Sequence, residues 1–319
     1  MVSTDVATLA AQLLAGDKRA LARAISLRED RAPAGQALLA AVWPHTGRAR
    51  RIGITGPPGA GKSTLCDKLA AHYLAGGKKV GIIAVDPSSA FSGGAILGDR
   101  IRMADRFLEP NVFIRSMATR GHMGGLSRAT TDAADLIDAA GYDLILLETV
   151  GVGQDEVEVI EAADTVLVVL VPGLGDDIQA IKAGLMEIAD IYVINKADRE
   201  GAERLESEIK TMQGLAATAQ DWEPPVLHTV ARDNRGIGEL TQVIATHGAR
   251  GVAGERQQRT AQRRLARIIA EKIEQRVDGV LRDNAALRAK LDAFRNRQSD
   301  PYSTADALLN EIIAEAGRG

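Results

Sequence analysis

The sequence predicts an α/β protein whose core is a mostly parallel sheet covered by helices on both faces. Between residues 50 and 249, short and almost continuously apolar runs alternate with helical patterns, and a glycine-rich loop directly follows the first run. Near-continuous apolar character is typical of strands that are buried on both faces. The predicted strands are Arg51–Thr55, Lys79–Val85, Val112–Ser116, Leu144–Thr149, Thr165–Val171, Ile191–Asn195 and Pro225–Val230.

Helical segments flank this core on both sides. The N-terminal residues carry apolar side chains at helical spacing, most clearly at Ala7–Leu14 and Arg19–Leu27. Residues 255–297 form a basic helical stretch with an apolar stripe, and a short terminal helix follows it at Thr304–Glu315. The predicted organisation is an N-terminal helical segment at 1–45, an α/β domain at 46–249 and a C-terminal helical segment at 250–319.

The composition limits the functions that the chain can serve. The 319 residues are 45% hydrophobic and 25% charged, and the formal net charge of −3 argues against nucleic acid as the main partner. The sequence contains neither an apolar run long enough to span a bilayer nor a signal peptide. The single cysteine, Cys66, excludes a disulfide framework and predicts a buried thiol in a reducing compartment. We therefore expect a soluble, cytoplasmic protein.

A phosphate-binding loop is the most specific motif in the chain. Residues 56–63 match the pattern G-x-x-x-x-G-K-[ST] and follow a predicted strand. The glycines let backbone N–H groups turn inward around phosphates, and the next helix adds its positive N-terminal dipole. Lys62 is expected to reach the β- and γ-phosphates, and the Ser63 hydroxyl to bind Mg²⁺. The predicted phosphate-binding residues are Gly56, Pro57, Pro58, Gly59, Ala60, Gly61, Lys62, Ser63 and Thr64.

A second motif, N-K-x-D, ends the predicted strand Ile191–Asn195. The Asp198 carboxylate can accept hydrogen bonds from N1–H and the exocyclic amine of guanine, whereas adenine presents a bare acceptor at N1. The stem of Lys196 can cover the base, and Asn195 can tie this loop to the phosphate loop. The motif therefore favours GTP and GDP over adenine nucleotides. A later stretch is either an ordinary loop or a backbone contact to guanine O6, made by Val230, Ala231 and Arg232.

Three acidic residues follow predicted strands, where metal ligands are expected. Glu148 is expected to bind Mg²⁺, often through water, or else merely to cap a turn. Asp86 is either a metal-side residue or a helix cap. Asp99 lies in a glycine-rich loop and could approach the metal, unless that loop is solvated and has no catalytic role. The predicted metal site comprises Ser63, Asp86, Asp99 and Glu148, and the predicted catalytic residues are Lys62, Asp99 and Glu148.

Six motifs follow one another in the order GPPGAGKST, VDPSS, GGAILGDR, ETVGVGQ, GLGDDIQAIKAG and NKAD. Together they resemble the motifs of the MeaB/ArgK family of P-loop G proteins, which includes the methylmalonyl-CoA mutase-associated GTPases. The likeness covers about residues 8–249. It implies GTP hydrolysis with Mg²⁺, and a homodimer formed through the C-terminal helical segment.

The resemblance also implies a partner, an adenosylcobalamin-dependent acyl-CoA mutase of the methylmalonyl-CoA mutase type. In the family, the G protein gates the loading of intact cofactor onto the mutase and the ejection of damaged cofactor. Gly175–Lys182 matches the mobile segment that couples nucleotide state to the mutase. The other reading of this segment is a helix N-terminus that is capped by Asp176 or Asp177.

Three alternative functions can be weighed on the same residues. A nickel-insertion GTPase would need clustered Cys and His ligands, whereas the five histidines of this chain are scattered. A small-molecule (amino-acid) kinase would need an acceptor site and usually prefers ATP, which the N-K-x-D motif disfavours. A scaffold could use the Arg-rich C-terminal helix, but that stretch lacks the aromatic residues that interleave in nucleic-acid binders. A solvated helix face packed in a dimer suits this stretch better. The histidines are His45, His72, His122, His228 and His247.

Overall fold

The computed structural model describes most of the chain, namely residues 5–86, 109–118, 125–149, 163–173, 188–215, 222–250, 253–283 and 285–316. Within these residues, one sheet of seven parallel strands forms the centre, in the spatial order β3-β2-β4-β1-β5-β6-β7. All seven predicted strands are confirmed, with ends that shift by at most two residues. Their bounds are Arg50–Thr55 (β1), Val80–Asp86 (β2), Val112–Ala118 (β3), Leu144–Thr149 (β4), Thr165–Leu170 (β5), Ile191–Asn195 (β6) and Val226–Thr229 (β7).

The first two helices begin at an aspartate cap, and the third begins at a proline. Asp5 accepts a hydrogen bond from the N–H of Ala7, Asp17 accepts from that of Ala20, and Pro33 opens the third helix. The helices of the first part of the chain are Val6–Leu14 (α1), Lys18–Glu29 (α2), Pro33–Val42 (α3), Lys62–Ala75 (α4), Gly125–Ala139 (α5), Ala202–Leu215 (α6) and Ile237–Ala249 (α7). Short 3₁₀ turns lie at Trp43–His45 and Ala231–Asp233.

The core has two halves, one on each face of the sheet. Successive side chains of a strand point to opposite faces, so Leu146 of β4 packs with α4 and α7, while Leu147 packs on the face that α1, α2, α3 and α5 cover. Both leucines are fully buried. The N-terminal helices therefore share one hydrophobic core with the sheet, because Leu13, Leu21 and Leu38 belong to the same cluster as Leu147.

Partly buried ion pairs join the N-terminal helices to the rest of this unit. The guanidinium of Arg28 on α2 donates to Asp132 on α5, and Arg115 on β3 pairs with Glu29. Because both pairs are partly exposed, breaking one should cost less than the ~3–5 kcal/mol of a fully buried pair. These pairs fix α2 against α5 and β3.

The chain divides into two compact units, residues 1–253 and residues 254–319. The second unit is helical. In it, Lys290 pairs with Glu311, and Asp300 accepts hydrogen bonds from the N–H groups that open the last helix. The helices of this part of the chain are Ala253–Asp283 (α8), Ala285–Arg295 (α9) and Pro301–Ala316 (α10).

Candidate functional site

The phosphate loop joins the end of β1 to the start of α4, as the sequence predicts. Its backbone requires glycine at two positions. Gly56 has φ +137°, and a Cβ there would lie 2.0 Å from the carbonyl oxygen of Val169 on β5. Gly61 has φ +88°, and a Cβ there would lie 2.4 Å from Nδ2 of Asn195. The loop is therefore pressed against both β5 and the base-recognition motif, where side chains do not fit.

A cavity of about 370 Å³ opens between this loop and the carboxyl ends of β2 and β4. Such a position, beyond the carboxyl ends of parallel strands, is where open α/β sheets bind ligands. Three residues that line it were not among the predicted site residues: Ala84, Val85 and Thr149. The strand ends were the signal that could have found them. The cavity is lined by Pro58, Gly59, Gly61, Lys62, Ser63, Thr64, Ala84, Val85, Glu148, Thr149 and Lys196.

Lys62 places a buried positive charge in the wall of the cavity. The residue is only 6% exposed, and its Nζ donates to the carbonyl oxygens of Gly56 at 2.7 Å and Pro57 at 2.9 Å. These two hydrogen bonds hold the ammonium group at the loop. A fixed cation at this place suits the phosphate oxygens of a nucleotide.

Glu148 lies at the tip of β4 and faces α4. It is 6% exposed, and its Oε1 accepts a hydrogen bond from Ser63 Oγ at 2.5 Å. The strand register sets it between Ile54 of β1 and Ala84 of β2, directly beside the cavity. A carboxylate and a hydroxyl in contact fit Mg²⁺, which takes hard oxygen ligands. The structure thus brings together two of the four residues predicted for the metal site.

The other two predicted metal residues are Asp86 and Asp99. Asp86 ends β2, one residue beyond Val85, which pairs with Thr149 at the cavity. Its backbone therefore lies at the ligand edge of the sheet, while its side chain is outside the described structure, as is all of Asp99. Gly175–Lys182 and the glycine-rich stretch after Thr149 also lie outside the described residues.

The N-K-x-D loop is hydrogen-bonded directly to the phosphate loop. Asn195 donates from Nδ2 to the carbonyl oxygen of Ala60 at 2.8 Å, and Lys196 donates from Nζ to that of Gly59 at 2.7 Å. Lys196 also adopts a left-handed backbone conformation with φ +56°. The two motifs, more than 130 residues apart in sequence, therefore form one surface. The predicted tie through Asn195 is present, and Lys196 adds a second.

Asp198 lies at the rim of this surface, where its side chain is 39% exposed. The stretch from Val230 to Arg232 lies beside it in a 3₁₀ turn, and the N–H of Ala231 donates to Asn195 Oδ1 at 3.1 Å. The Arg232 guanidinium approaches Asp198, with Nη2 3.9 Å from Oδ2. The two stretches that the sequence assigned to base binding therefore lie next to each other. The approach of Arg232 to Asp198 is a side-chain contact that the motif did not reveal.

Cys66 is buried on α4, as predicted. Desolvation raises the pKa of its thiol well above the usual value, and the charge of Glu148 adds to that shift. The thiol therefore stays protonated and serves as a small packing residue. Among the residues that the structure describes, no group of three or more His, Cys, Asp or Glu side chains could hold a metal ion. Nor is any described helix long and apolar enough to cross a membrane.

Comparison with known proteins gives a consistent result. A family model described as "Methylmalonyl Co-A mutase-associated GTPase MeaB" matches residues 21–284. A protein of Pyrococcus abyssi is 49% identical over 93% of this chain and 94% of its own length. The "Methylmalonic aciduria type A homolog, mitochondrial" of Mus musculus is 41% identical over 60% of this chain, which is 47% of that protein.

A solved structure has the same fold over nearly the whole length. It is titled "Crystal structure of LAO/AO transport system kinase", and it superimposes with a TM-score of 0.68 at 30% identity, covering 98% of this chain and 99% of the other. The family model spans both the phosphate loop and the N-K-x-D loop. The chain therefore belongs to the MeaB family of methylmalonyl-CoA mutase-associated GTPases.

Proposed function

We propose that this GTPase binds GTP across the phosphate cavity and the N-K-x-D loop, and hydrolyses it there. The observation that carries this proposal is the pair of hydrogen bonds from Asn195 and Lys196 to the phosphate loop. They join the predicted base-reading loop and the predicted phosphate loop, which supports a single site for both parts of the nucleotide. A nucleotide whose phosphates lie against the loop would present its base to Asp198, whose carboxylate pairs with guanine and not with adenine.

We propose that this site catalyses hydrolysis mainly by electrostatic stabilisation of the phosphate charge. Phosphoryl transfer depends on positioning and on stabilising the charge of the phosphate oxygens, and the buried ammonium of Lys62 supplies such charge. Ser63 and Glu148 would hold Mg²⁺, and we propose that Asp86 and Asp99 complete the metal side. When bound, Mg²⁺ neutralises phosphate charge as a Lewis acid.

The metal site is tested by Glu148→Gln. The amide still accepts a hydrogen bond from Ser63 but lacks the negative charge that attracts Mg²⁺. We expect GTP hydrolysis to fall about 10- to 100-fold, and the Mg²⁺ concentration needed for half-maximal GDP binding to rise by a similar factor. Titration of GDP at a series of Mg²⁺ concentrations gives a readout that does not depend on turnover.

The matched control is Glu208→Gln. Glu208 lies on α6 in a pair with Arg204, whose side chain is 85% exposed, so the same chemical change is made away from the cavity. It should leave hydrolysis and Mg²⁺ dependence as they are. Wild-type Mg²⁺ dependence in the Glu148 variant would rule out this residue as part of the metal site.

We further propose that GTP hydrolysis gates the loading, protection and reactivation of an adenosylcobalamin-dependent mutase of the methylmalonyl-CoA type. The description of the matching family as mutase-associated supports this, as does the similarity to the mouse methylmalonic aciduria protein. A homodimer is part of the proposal. Leu265, Ile269 and Ile273 lie one turn apart on α8 and are 45–60% exposed, so a second copy would bury them.

The partner is tested with purified methylmalonyl-CoA mutase loaded with adenosylcobalamin. We expect the mutase to form a complex with the protein, and to accelerate GTP hydrolysis if it binds the transition state more tightly than the GTP-bound ground state. The Lys62→Ala variant, mixed with the same mutase, controls for hydrolysis by a contaminant. Failure to bind and to stimulate would contradict the mutase role, while basal hydrolysis would still support the GTP site.

The segment Gly175–Lys182, which we propose couples nucleotide state to the mutase, is tested by a separate variant. Replacing Asp176, Asp177 and Lys182 by alanine should keep basal hydrolysis within a few-fold and weaken the acceleration by the mutase. The same two assays, with and without mutase, measure both quantities. Full stimulation in this variant would show that the segment does not couple the two proteins.

A further inference from the structure

The guanidinium of Arg232 is held between two carboxylates at the rim of the base site. Its Nε donates to Asp233 Oδ1 at 3.0 Å, and its Nη2 donates to Asp233 Oδ2 at 3.4 Å. The same Nη2 lies 3.9 Å from Oδ2 of Asp198. Because the Arg232 side chain is 77% exposed, these carboxylates, rather than packing, fix where the guanidinium lies.

The contacts in this cluster favour the charged form of both Arg232 and Asp233. The hydrogen bond to Asp233, followed by the charges of Asp233 and Asp198, raises the pKa of Arg232. The hydrogen bond from Arg232 in turn lowers the pKa of Asp233. Arg232 is therefore a permanent cation beside the carboxylate that reads the base. An exposed ion pair of this kind contributes very little to folding, so stability does not account for its placement.

We propose that Arg232 is a specificity-determining positioning residue, which holds the Asp198 carboxylate in the orientation that guanine requires. Guanine offers two adjacent N–H donors, so both oxygens of Asp198 must face the base together. Asp233 orients the plane of the guanidinium by a two-point contact, and the charge of Arg232, 3.9 Å from Asp198 Oδ2, then restrains that carboxylate. This inference rests on the proposed reading of guanine by Asp198.

The test is nucleotide binding rather than turnover. In Arg232→Ala, we expect the Kd for GDP, measured by titration calorimetry, to rise about two- to fivefold, the range of exposed ion pairs. The same substitution is then made in the Asp198→Asn background and measured with XDP, whose C2 carbonyl suits the amide. In that background we expect the Kd for XDP to change by less than about twofold, because the ion pair between Arg232 and Asp198 no longer exists.

Arg235→Ala is the matched control. Arg235 is exposed on the same turn and contributes only its charge to Asp233, while its backbone hydrogen bonds with Val230 remain. It removes the same net charge and should leave the Kd for GDP unchanged. All variants should melt at the wild-type temperature, since the side chains are exposed.

Two results would overturn the inference. If the Kd for GDP of Arg232→Ala equals that of wild type and of Arg235→Ala, then Arg232 does not position Asp198. If the loss is equally large for XDP in the Asp198→Asn background, Arg232 contacts the nucleotide directly, for instance by covering the base. If instead Asp198 does not read guanine, the single variant Asp198→Asn retains full GDP affinity, which distinguishes that outcome from the other two.

Discussion

Replacing Lys62 by alanine should abolish measurable GTP hydrolysis while the fold survives. The ammonium group is buried and fixed to the carbonyl oxygens of Gly56 and Pro57, so it is in place before the nucleotide arrives. Losing one such preorganised charge costs about 3–4 kcal/mol in the transition state, or 10²- to 10³-fold in rate. Phosphate release at saturating GTP measures the effect, and the melting temperature reports the fold.

Lys68→Ala is the control for this variant. Lys68 lies on the same helix, α4, but outside the lining of the cavity. The substitution therefore removes the same type of side chain at a place away from the phosphates. It should hydrolyse GTP at the wild-type rate. Turnover at that rate in Lys62→Ala would refute the assignment of residues 56–64 to phosphate binding.

Asp198→Asn should exchange guanine for xanthine as the preferred base. The substitution replaces two acceptors by one acceptor and one donor, so one N–H of guanine loses its partner and meets another donor. Sites built around such hydrogen bonds typically discriminate by about 10²-fold or more. Xanthine carries a carbonyl at C2 and can accept from the new amide. We therefore expect the Kd for GDP to rise by at least that factor and the Kd for XDP to fall.

Calorimetric titration of both nucleotides checks this second expectation. Glu200→Gln is a suitable comparison, because Glu200 is exposed two residues further along the same loop. It should bind GDP as wild type does. Equal affinity for GDP in Asp198→Asn and wild type would mean that another residue reads the base.

Much of the fold follows from local patterns. Each strand is a short apolar run, and in β4, β5 and β6 every residue is buried, as expected for a parallel sheet covered on both faces. The shifts at strand ends have a physical cause, because pairing with a neighbour decides where a strand stops. β3, for example, continues to Ala118, since Met117 and Ala118 still pair with Val85 and Asp86 of β2.

The candidate site was predictable where its chemistry is contained in a motif. The phosphate loop predicts phosphate binding, N-K-x-D predicts guanine binding, and the position of Glu148 at the end of β4 predicts a metal ligand. Contacts between distant segments were not predictable where no motif carries them, because nothing near Arg232 in the sequence specifies Asp198 as its neighbour. The same holds for Arg28 and Asp132, which are 104 residues apart and meet only because α2 packs on α5.

The strand order also constrains how the chain can fold during its synthesis. β1 lies between β4 and β5, and the N–H of Arg51 donates to Asp164, a residue 113 positions later. At ribosomal speed, that interval takes on the order of 10 s. β1 therefore lacks its neighbour β5 until residues 165–170 have been synthesised, and shorter nascent chains leave that edge of β1 unpaired. We expect this unpaired edge to make the nascent chain a substrate for chaperones that bind exposed strands.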